Sequence, residues 1–146
     1  MHKPDFYSAC FAIIKDDKWK VLMQRRANTW FRDWLYQLPS WHIELNEQVL
    51  EAMQRELKEE LSIKVDLKNM KVIHVVNSIC PDRHYINFYV EVKEFSWELM
   101  ILEPEKCSEI KFIDMESLRE DKDHKYEYET YLSIKNWEYF SEKEIK

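Results

Sequence analysis

Glycine is absent from this chain of 146 residues. At the usual frequency of about 7%, roughly ten glycines would be expected, and the chance of finding none is on the order of 10⁻⁵. Six tryptophans accompany this absence. Because glycine normally serves the turns that need a positive φ, other residues must occupy those turns here.

Cysteine is also scarce, and the three residues include no CxxC pair, which argues against a disulfide framework or a zinc site. The longest apolar run, Ala9 to Ile14, is far too short to span a membrane, and no signal-peptide pattern opens the sequence. A net charge of −6 argues against a protein that coats nucleic acid. We therefore expect a cytoplasmic protein with one domain over residues 1–146 and with neither a membrane nor a nucleic-acid partner. The sequence leaves the oligomeric state open, a homodimer included.

Hydrophobic periodicity predicts a mixed α/β protein with helices packed on a sheet. Strands are predicted at Phe6 to Lys15 and Lys20 to Arg25, joined as a hairpin, and at Trp34 to Leu38, Val65 to Asn77, Tyr85 to Val92 and Ile110 to Ile113. Helices are predicted at Glu47 to Leu61, Met115 to Arg119 and Lys125 to Trp137. The first helix is the clearest, because Leu50, Met53, Leu57 and Leu61 form one apolar stripe.

Three carboxylates on that helix have a spacing that suits metal chemistry. Glu56, Glu59 and Glu60 stand at i, i+3 and i+4, so their side chains converge on one strip beside the apolar stripe. Like charges at this spacing repel, whereas a bound Mg²⁺ or Mn²⁺ would make the arrangement favourable. The alternative is an ordinary solvated helix face in which Arg55 and Lys58 offset the charge. Spacing alone favours that alternative.

The wider pattern changes this balance. Glu47, seven residues, Arg55-Glu56, an aliphatic residue, one further residue and Glu59-Glu60 closely resemble the Nudix box, in which every charged position is matched. The two glycine positions of the box are occupied by Trp41 and Ser62. The upstream segments Leu38-Pro39 and His42-Ile43-Glu44 also resemble the lead-in that is common in this superfamily. The resemblance extends from about Phe6 to Leu118.

The resemblance implies a Nudix-type α/β/α sandwich with a mixed β-sheet and a loop–helix–loop that carries the metal site. By matching position, Glu56, Glu59 and Glu60 would be the principal Mg²⁺ ligands, with Mn²⁺ as an alternative metal. Glu47 would be a supporting carboxylate. Arg55 would orient the glutamates by salt bridges. The implied activity is hydrolysis of a nucleoside diphosphate linked to another group.

A nucleoside triphosphate of the MutT type is the default substrate, because we find no auxiliary motif for coenzyme A, dinucleoside polyphosphates or ADP-ribose. The alternative function is a Nudix-fold nucleotide-binding or regulatory domain without catalysis, and the complete set of charged box residues argues against it. An extra catalytic base outside the box could be Glu105 or Glu109, although both also fit as surface charges. Arg25 and Arg26 could bind phosphate or could simply be exposed charges at a strand end.

The six tryptophans share one property: each occupies a position that suits glycine. They are the box position Trp41, the hairpin turn at Trp19, the flanks of a loop at Trp30 and Trp34, the loop before Glu98 at Trp97 and the predicted helix end at Trp137. We therefore hypothesise that the gene encodes these six residues as UGA and that the organism translates UGA as glycine, as some bacterial lineages do. A deliberately glycine-free sequence is the rival explanation, but a designer would rarely put the bulkiest residue in tight turns.

Overall fold

The computed structural model describes residues 5–26, 35–97 and 107–146, with only the backbone of Arg26, Trp97, Cys107 and Ser108. The strands are β1 Phe6–Ile13, β2 Val21–Arg26, β3 Tyr36–Gln37, β4 Ser40–His42, β5 Ile63–Lys64, β6 Met70–Ile79, β7 His84–Val92, β8 Ser96–Trp97, β9 Cys107–Ile113 and β10 Phe140–Glu144. The two α-helices are α1 Val49–Leu61 and α2 Lys125–Lys135. Short 3-10 helices cover Leu67–Asn69, Met115–Leu118 and Lys122–His124.

A five-stranded mixed sheet in the order β10-β6-β7-β1-β4 forms the centre of the fold. β1 runs parallel to β7 and antiparallel to β4, while β6 runs antiparallel to β7 and parallel to β10. β3, β2 and β9 form a second, antiparallel sheet, and β5 pairs with β8. A mixed central sheet is typical of folds in which helices cover both faces.

Helix α1 covers one face of the central sheet. Its buried residues Ala52, Met53, Leu57 and Leu61 pack on residues of the sheet that include Cys10, Ala12 and Val90. Helix α2 lies on the opposite side, where Ile134 packs with Ile13, Val76 and Tyr89. The described residues therefore form the predicted α/β/α arrangement. None of the described helices has both the length and the apolar character that crossing a bilayer requires.

The predicted hairpin between the first two strands is wrong in one respect: β1 and β2 do not pair along their lengths. β1 and β2 belong to different sheets. Near the turn they are joined by the antiparallel bridge between Lys15 and Val21, the 2.8 Å bond from Leu22 N to Ile14 O and the 2.9 Å bond from Asp16 N to Lys20 O. The chain does turn sharply where predicted, but the strands diverge after that bridge because each has a longer partner elsewhere. β1 pairs with β7 along its whole length, and β2 pairs with β9.

The other element predictions differ mainly at their boundaries. The first helix begins at Val49 rather than Glu47, and the C-terminal helix ends at Lys135 rather than Trp137. The predicted helix at Met115 to Arg119 is a 3-10 helix ending at Leu118. The extended segment predicted from Val65 to Asn77 begins with a 3-10 turn and becomes the strand β6. The pattern did not predict β4, β5, β8 or β10.

Candidate active site

A tight turn precedes helix α1 and brings two glutamates together. The Glu47 amide donates to Glu44 O at 3.2 Å, and the Glu44 amide donates to Glu47 Oε1 at 3.1 Å. Asn46 occupies the turn with φ of 64°, a conformation that asparagine adopts more readily than most residues. The turn therefore holds the Glu47 carboxylate at the start of the helix that carries the other box residues.

The buried stripe of α1 fixes which residues can reach the site. Leu57 and Leu61 are buried against the sheet, so Glu56 and Glu60, one position before each, lie at the edge of the packed face. The helix ends at Ser62, which adopts φ of 56° and ψ of 30° and donates its amide to Leu57 O. The second glycine position of the box is thus a left-handed helix cap, a conformation that favours glycine.

Arg55 is the centre of a carboxylate cluster. Its Nε donates to Glu47 Oε2 at 2.8 Å, and its Nη2 donates to Glu47 Oε1 at 3.2 Å, which makes the pair bidentate. Its Nη1 donates to Glu56 Oε1 at 2.8 Å and to Glu59 Oε2 at 3.2 Å. Nη2 also lies 3.9 Å from Glu44 Oε1. We call Arg55, Glu47, Glu56 and Glu59 the guanidinium cluster.

Charge pairing shifts the ionisation of both partners in the strongest contact. The hydrogen bond from Arg55 lowers the pKa of Glu47 below its ordinary value, although partial burial opposes that shift. The same hydrogen bond, with those from Arg55 to Glu56, raises the pKa of Arg55. Both residues are therefore charged at neutral pH, and the guanidinium offsets the repulsion among the glutamates that it joins.

The buried thiol of Cys10 lies beneath this cluster. Its Sγ lies 3.6 Å from the carbonyl oxygen of Trp41, to which the thiol donates. Burial raises the pKa of Cys10 to about 12, and the negative charges of Glu56 and Glu47 add to that effect. Cys10 is therefore a neutral core residue, and it gives the site no nucleophile.

Glu60 has a different partner from the other box glutamates. The indole Nε1–H of Trp41 donates a hydrogen bond to Glu60 Oε2. Trp41 lies on β4, is only 8% exposed and packs in the same core cluster as Leu57 and Cys10. Unlike Trp19 and Trp137, it lacks the positive φ expected of a glycine-like position. What favours glycine at position 41 is the bulk of the indole beside Glu60.

The carboxylates of Glu47, Glu56 and Glu59 are suitable ligands for a hard cation, but in this structure they accept hydrogen bonds from Arg55. In the described ranges 5–26, 35–97 and 107–146, no group of three or more His, Cys, Asp or Glu side chains is arranged to hold a metal ion. Instead, the oxygens of Glu47, Glu56 and Glu59 lie within 3.2 Å of one guanidinium, so they already converge on a positive charge. Carboxylate oxygens are the ligands that Mg²⁺ and Mn²⁺ prefer.

Two candidates outside the box contact each other. Arg25 on β2 and Glu109 on β9 are register partners, and Arg25 Nη2 lies 3.7 Å from Glu109 Oε2. The predicted phosphate-binding arginine and one predicted base therefore form an ion pair across the smaller sheet. The side chain of Arg26 lies outside the described residues, as does the whole of Glu105.

A large cavity borders mainly the side of the central sheet that faces away from α1, and it also reaches Leu61 of the buried stripe of that helix. Its volume is about 1240 Å³, and its lining includes Trp41 and Glu60, so the cavity reaches the box helix. Phe11 and Tyr89 form part of the wall, with ring centroids 4.7 Å apart and an interplanar angle of 11°. Cavities of this size accommodate drug-sized ligands, nucleotides included.

Sequence reasoning missed two polar residues of this cavity. Gln37 and Asn87 both line it and are buried, yet Gln37 Nε2 and Asn87 Oδ1 have no hydrogen-bond partner among the residues that the structure describes. One signal was present for Asn87, because an asparagine in the middle of the apolar run YINFYV is unusual in a strand. Gln37 follows a stretch without clear periodicity and gave no such signal.

Comparison with known proteins identifies the family. The family model described as NUDIX domain matches residues 6–134. Among solved structures, the chain is similar to a MutT NUDIX hydrolase from Burkholderia pseudomallei, with 23% identity, coverage of 77% of this chain and 85% of that one, and a TM-score of 0.69. It is also similar to a MutT protein from Methanosarcina mazei Go1, with 18% identity, coverage of 93% and 96%, and a TM-score of 0.78.

A third similar structure is described as an ADP compounds hydrolase, with 21% identity, coverage of 92% of this chain and 73% of that one, and a TM-score of 0.69. At these identities the structural likeness concerns the fold. The family match, which spans most of the chain, shows that the protein belongs to the NUDIX domain family and is a Nudix hydrolase. The resemblance inferred from the charged positions of the box is confirmed.

Proposed function

We propose that the protein is a divalent-metal-dependent pyrophosphohydrolase of nucleoside triphosphates. Water adds to a phosphorus atom and the phosphoanhydride P–O bond breaks, which yields a nucleoside monophosphate and pyrophosphate. The guanidinium cluster carries this proposal, because it concentrates three box carboxylates around one point. Glu60, on the same helix, lines a cavity of nucleotide size. The MutT-type structures among the similar folds make a triphosphate the first substrate to test.

Glu56, Glu59 and Glu60 would hold Mg²⁺, or Mn²⁺ in its place, and Glu47 would support them. When bound, the metal would neutralise negative charge on the phosphates and would supply an activated water for attack at phosphorus. Arg55 is a positioning residue, since its hydrogen bonds to Glu47, Glu56 and Glu59 fix the directions of the carboxylates before a ligand arrives. Glu105 and Glu109 remain the candidates for the base, and Arg25 and Arg26 for phosphate contacts.

A Mg²⁺ titration combined with a substrate panel tests the proposal. The panel compares ordinary and modified nucleoside triphosphates with ADP-ribose and NADH, and pyrophosphate release is measured for the triphosphates. We expect metal-dependent turnover that is highest for a triphosphate. Nucleotide binding without turnover at saturating metal would favour the non-catalytic alternative, and preferred hydrolysis of ADP-ribose or NADH would overturn the substrate.

We further propose that the natural chain carries glycine at positions 19, 30, 34, 41, 97 and 137. Trp137 supports this: φ is 62°, its amide donates to Ile134 O at 3.0 Å, and the Glu138 amide donates to Ser133 O at 3.0 Å. These two bonds with a left-handed residue make a Schellman cap, in which glycine is the usual residue. The indole is 85% exposed, so it gains little from packing.

Trp19 supports the same proposal in a different turn. The Trp19 amide donates to Asp16 O at 3.2 Å, its φ is 65° and its side chain is 77% exposed. A left-handed residue after a turn of this length is a favoured site for glycine. The backbone of Trp97 lies in β8, while Trp30 and Trp34 are outside the described residues. Recoding at those three positions rests on the sequence alone.

A further inference from the structure

We propose that His124 is a positioning residue of this hydrolase: its unprotonated ring nitrogen Nε2 holds the strand that leads into the cavity wall, and protonation of the ring releases that strand. The inference deepens the proposed function and rests on it for the identity of the ligand. It gives the C-terminal part of the chain a role in substrate binding, which acts through Tyr36 and the residues that follow it.

The first observation is a chain of hydrogen bonds that passes through a buried histidine. His124 is 6% exposed, its Nδ1 lies 2.9 Å from Asp121 Oδ2, and its Nε2 lies 3.1 Å from the backbone nitrogen of Tyr36. The hydrogen bond from His124 lowers the pKa of Asp121 below its ordinary value, so this carboxylate is ionised at neutral pH and can only accept. A backbone amide can only donate. Nδ1 therefore carries the ring proton, and Nε2 is the acceptor for Tyr36.

The second observation is the place of the Tyr36 amide in the fold. Among the described residues, β3 is an outer strand of the sheet β3-β2-β9, and Tyr36 is the register partner of Arg25 on β2. The Tyr36 amide points to His124, so the histidine covers the outer edge of β3. Because β3 has only two residues, this single bond is a large part of its attachment to the rest of the protein.

The third observation concerns the residues that follow Tyr36 along the chain. Five of the next six line the cavity, namely Gln37, Leu38, Ser40, Trp41 and His42. The C-terminal end of this segment is fixed by backbone bonds, since β4 pairs with β1 and Ala12 N donates to Pro39 O at 2.8 Å. The attachment at its N-terminal end includes a bond that depends on the protonation state of a side chain.

Protonation of His124 would break this attachment. A proton on Nε2 would place two N–H donors 3.1 Å apart, so the protonated ring cannot keep its contact with Tyr36. A buried amide that loses its acceptor costs free energy until it reaches water, which moves Tyr36 and the cavity-lining residues after it.

Three neighbouring groups bear on the charge of the ring. Asp121 keeps its bond to Nδ1 in both states and favours the protonated ring. The ring of Tyr36 stacks on the imidazole at a centroid distance of 6.4 Å, and Lys111 Nζ lies 4.6 Å from the centroid of that tyrosine ring. The positive charge of Lys111 and the Tyr36 amide both favour the neutral ring.

The variants are His124→Gln, whose side-chain carbonyl can accept from the Tyr36 amide at every pH, and His124→Leu, which removes the acceptor. His84→Gln is the matched control, because it removes a half-buried imidazole that contacts Phe6 and Asn77 rather than β3. Histidine ordinarily titrates at about pH 6.5, so each protein is measured at pH 5.5 and at pH 8. NMR reports the protonation of each ring nitrogen and the solvent exchange of the Tyr36 amide. Calorimetry without divalent metal gives the dissociation constant for GTP.

At pH 8 we expect the unmodified protein to have no proton on Nε2 of His124 and a Tyr36 amide that exchanges slowly. At pH 5.5 the amide should exchange fast, and the affinity for GTP should fall by a factor roughly threefold to tenfold larger than in His124→Gln. His124→Leu should exchange fast and bind weakly at both pH values, and His84→Gln should follow the unmodified protein.

A Tyr36 amide that stays protected while His124 is protonated would overturn the inference. So would a GTP affinity that depends on pH in His124→Gln as much as in the unmodified protein. Absence of GTP binding in every protein, with a Tyr36 amide that still follows the charge of the ring, would instead count against the proposed function alone.

Discussion

The two faces of the central sheet differ in how closely they are packed and in how many polar side chains they bury. The face beneath α1 is a closed apolar layer in which residues such as Ala12, Leu57 and Val90 are fully buried. The opposite face contains the cavity, whose lining includes the buried polar residues Gln37, Ser78, Asn87 and Thr130. Close packing stabilises a fold, whereas open volume and buried polarity cost stability and usually serve a ligand.

This difference separates a packed face that stabilises the fold from a face that borders a cavity. The packed face fixes α1, and α1 in turn fixes the spacing of Glu56, Glu59 and Glu60. Trp41 and Glu60 lie where the two regions meet, because both residues line the cavity while Trp41 also packs in the closed layer.

The largest expected effect concerns catalysis by the box glutamates on α1, the helix that packs on the closed face. In a protein with glycine restored at the six tryptophan positions, Glu59→Gln or Glu60→Gln should lower kcat by orders of magnitude without affecting folding, because a metal ligand is lost. Glu51→Gln on the same helix is the control and should retain its activity. Steady-state kinetics at saturating Mg²⁺ and melting curves measure both, and near-normal turnover in the two site variants would contradict the assignment.

The next effect concerns stability. Leu57→Ala should lower the free energy of unfolding by about 2–5 kcal/mol, because it opens a void under α1 where the layer is closed. Phe11→Leu on the cavity face should cost less, since that side already borders open volume. Denaturant unfolding measures both, and equal losses would show that the two faces are packed alike.

The third effect concerns the exposed tryptophans. Trp19→Gly and Trp137→Gly should each raise stability by roughly 1–2 kcal/mol, because a residue with a Cβ is penalised at positive φ. Trp41→Gly should act differently: it removes a buried ring, so the expected gain is metal binding and activity rather than stability.

Thermal unfolding of each single variant measures the gain in stability expected for Trp19→Gly and Trp137→Gly. Trp97→Gly, in β8, is the control, because Trp97 has no left-handed backbone conformation and the same gain is not expected there. The recoding itself is tested by the intact mass and peptide map of the protein from its own organism, which should show glycine at all six sites. Tryptophan in most of those peptides would refute it.

The smallest effect concerns pH. The pKa of Glu47 is lowered by Arg55, so this pair stabilises the fold above the ordinary carboxyl pKa of about 4.3 and loses that contribution as the pH falls below it. Arg55→Met should therefore reduce stability more at pH 7 than at pH 3. Lys125→Met, which removes an exposed pair with Glu129, should change little at either pH. A stability loss in Arg55→Met that does not depend on pH would mean that Arg55 acts through packing.

Sequence patterns predicted the elements whose periodicity is strong. Helix α1 and strand β7 fall within two residues of their predicted limits, because each buries a regular apolar pattern. The helix was predicted to begin at Glu47, two residues before its actual start at Val49, because the turn at Asn46 lets Glu47 accept a hydrogen bond from the Glu44 amide outside the helix. β10, with the sequence FSEKE, was missed because its stability comes from pairing with β6 rather than from its own composition.

For the site, the family pattern supplied the charged positions, and physical spacing alone could not have chosen metal binding over a solvated face. The hydrogen bonds from Arg55 to the three glutamates depend on side-chain rotamers, which the spacing of residues in the sequence does not determine. The cavity depends on which strands become neighbours. The pairing of Asn87 with Ala9 across 78 positions in the chain is a tertiary event that leaves no local trace.

The attachment of β10 has a consequence for the order of folding. β10 pairs in parallel with β6, with Phe140 opposite Val75. His74 on β6 donates from Nδ1 to Glu138 O at 2.8 Å, and its Nε2 forms a hydrogen bond of 2.8 Å with Ser141 Oγ. Contacts between segments so far apart in the chain carry a high loop-closure entropy. We expect this strand to dock late and to open first. Since Tyr139, Lys143 and Ile145 line the cavity, we expect local opening of this strand to open the cavity wall as well.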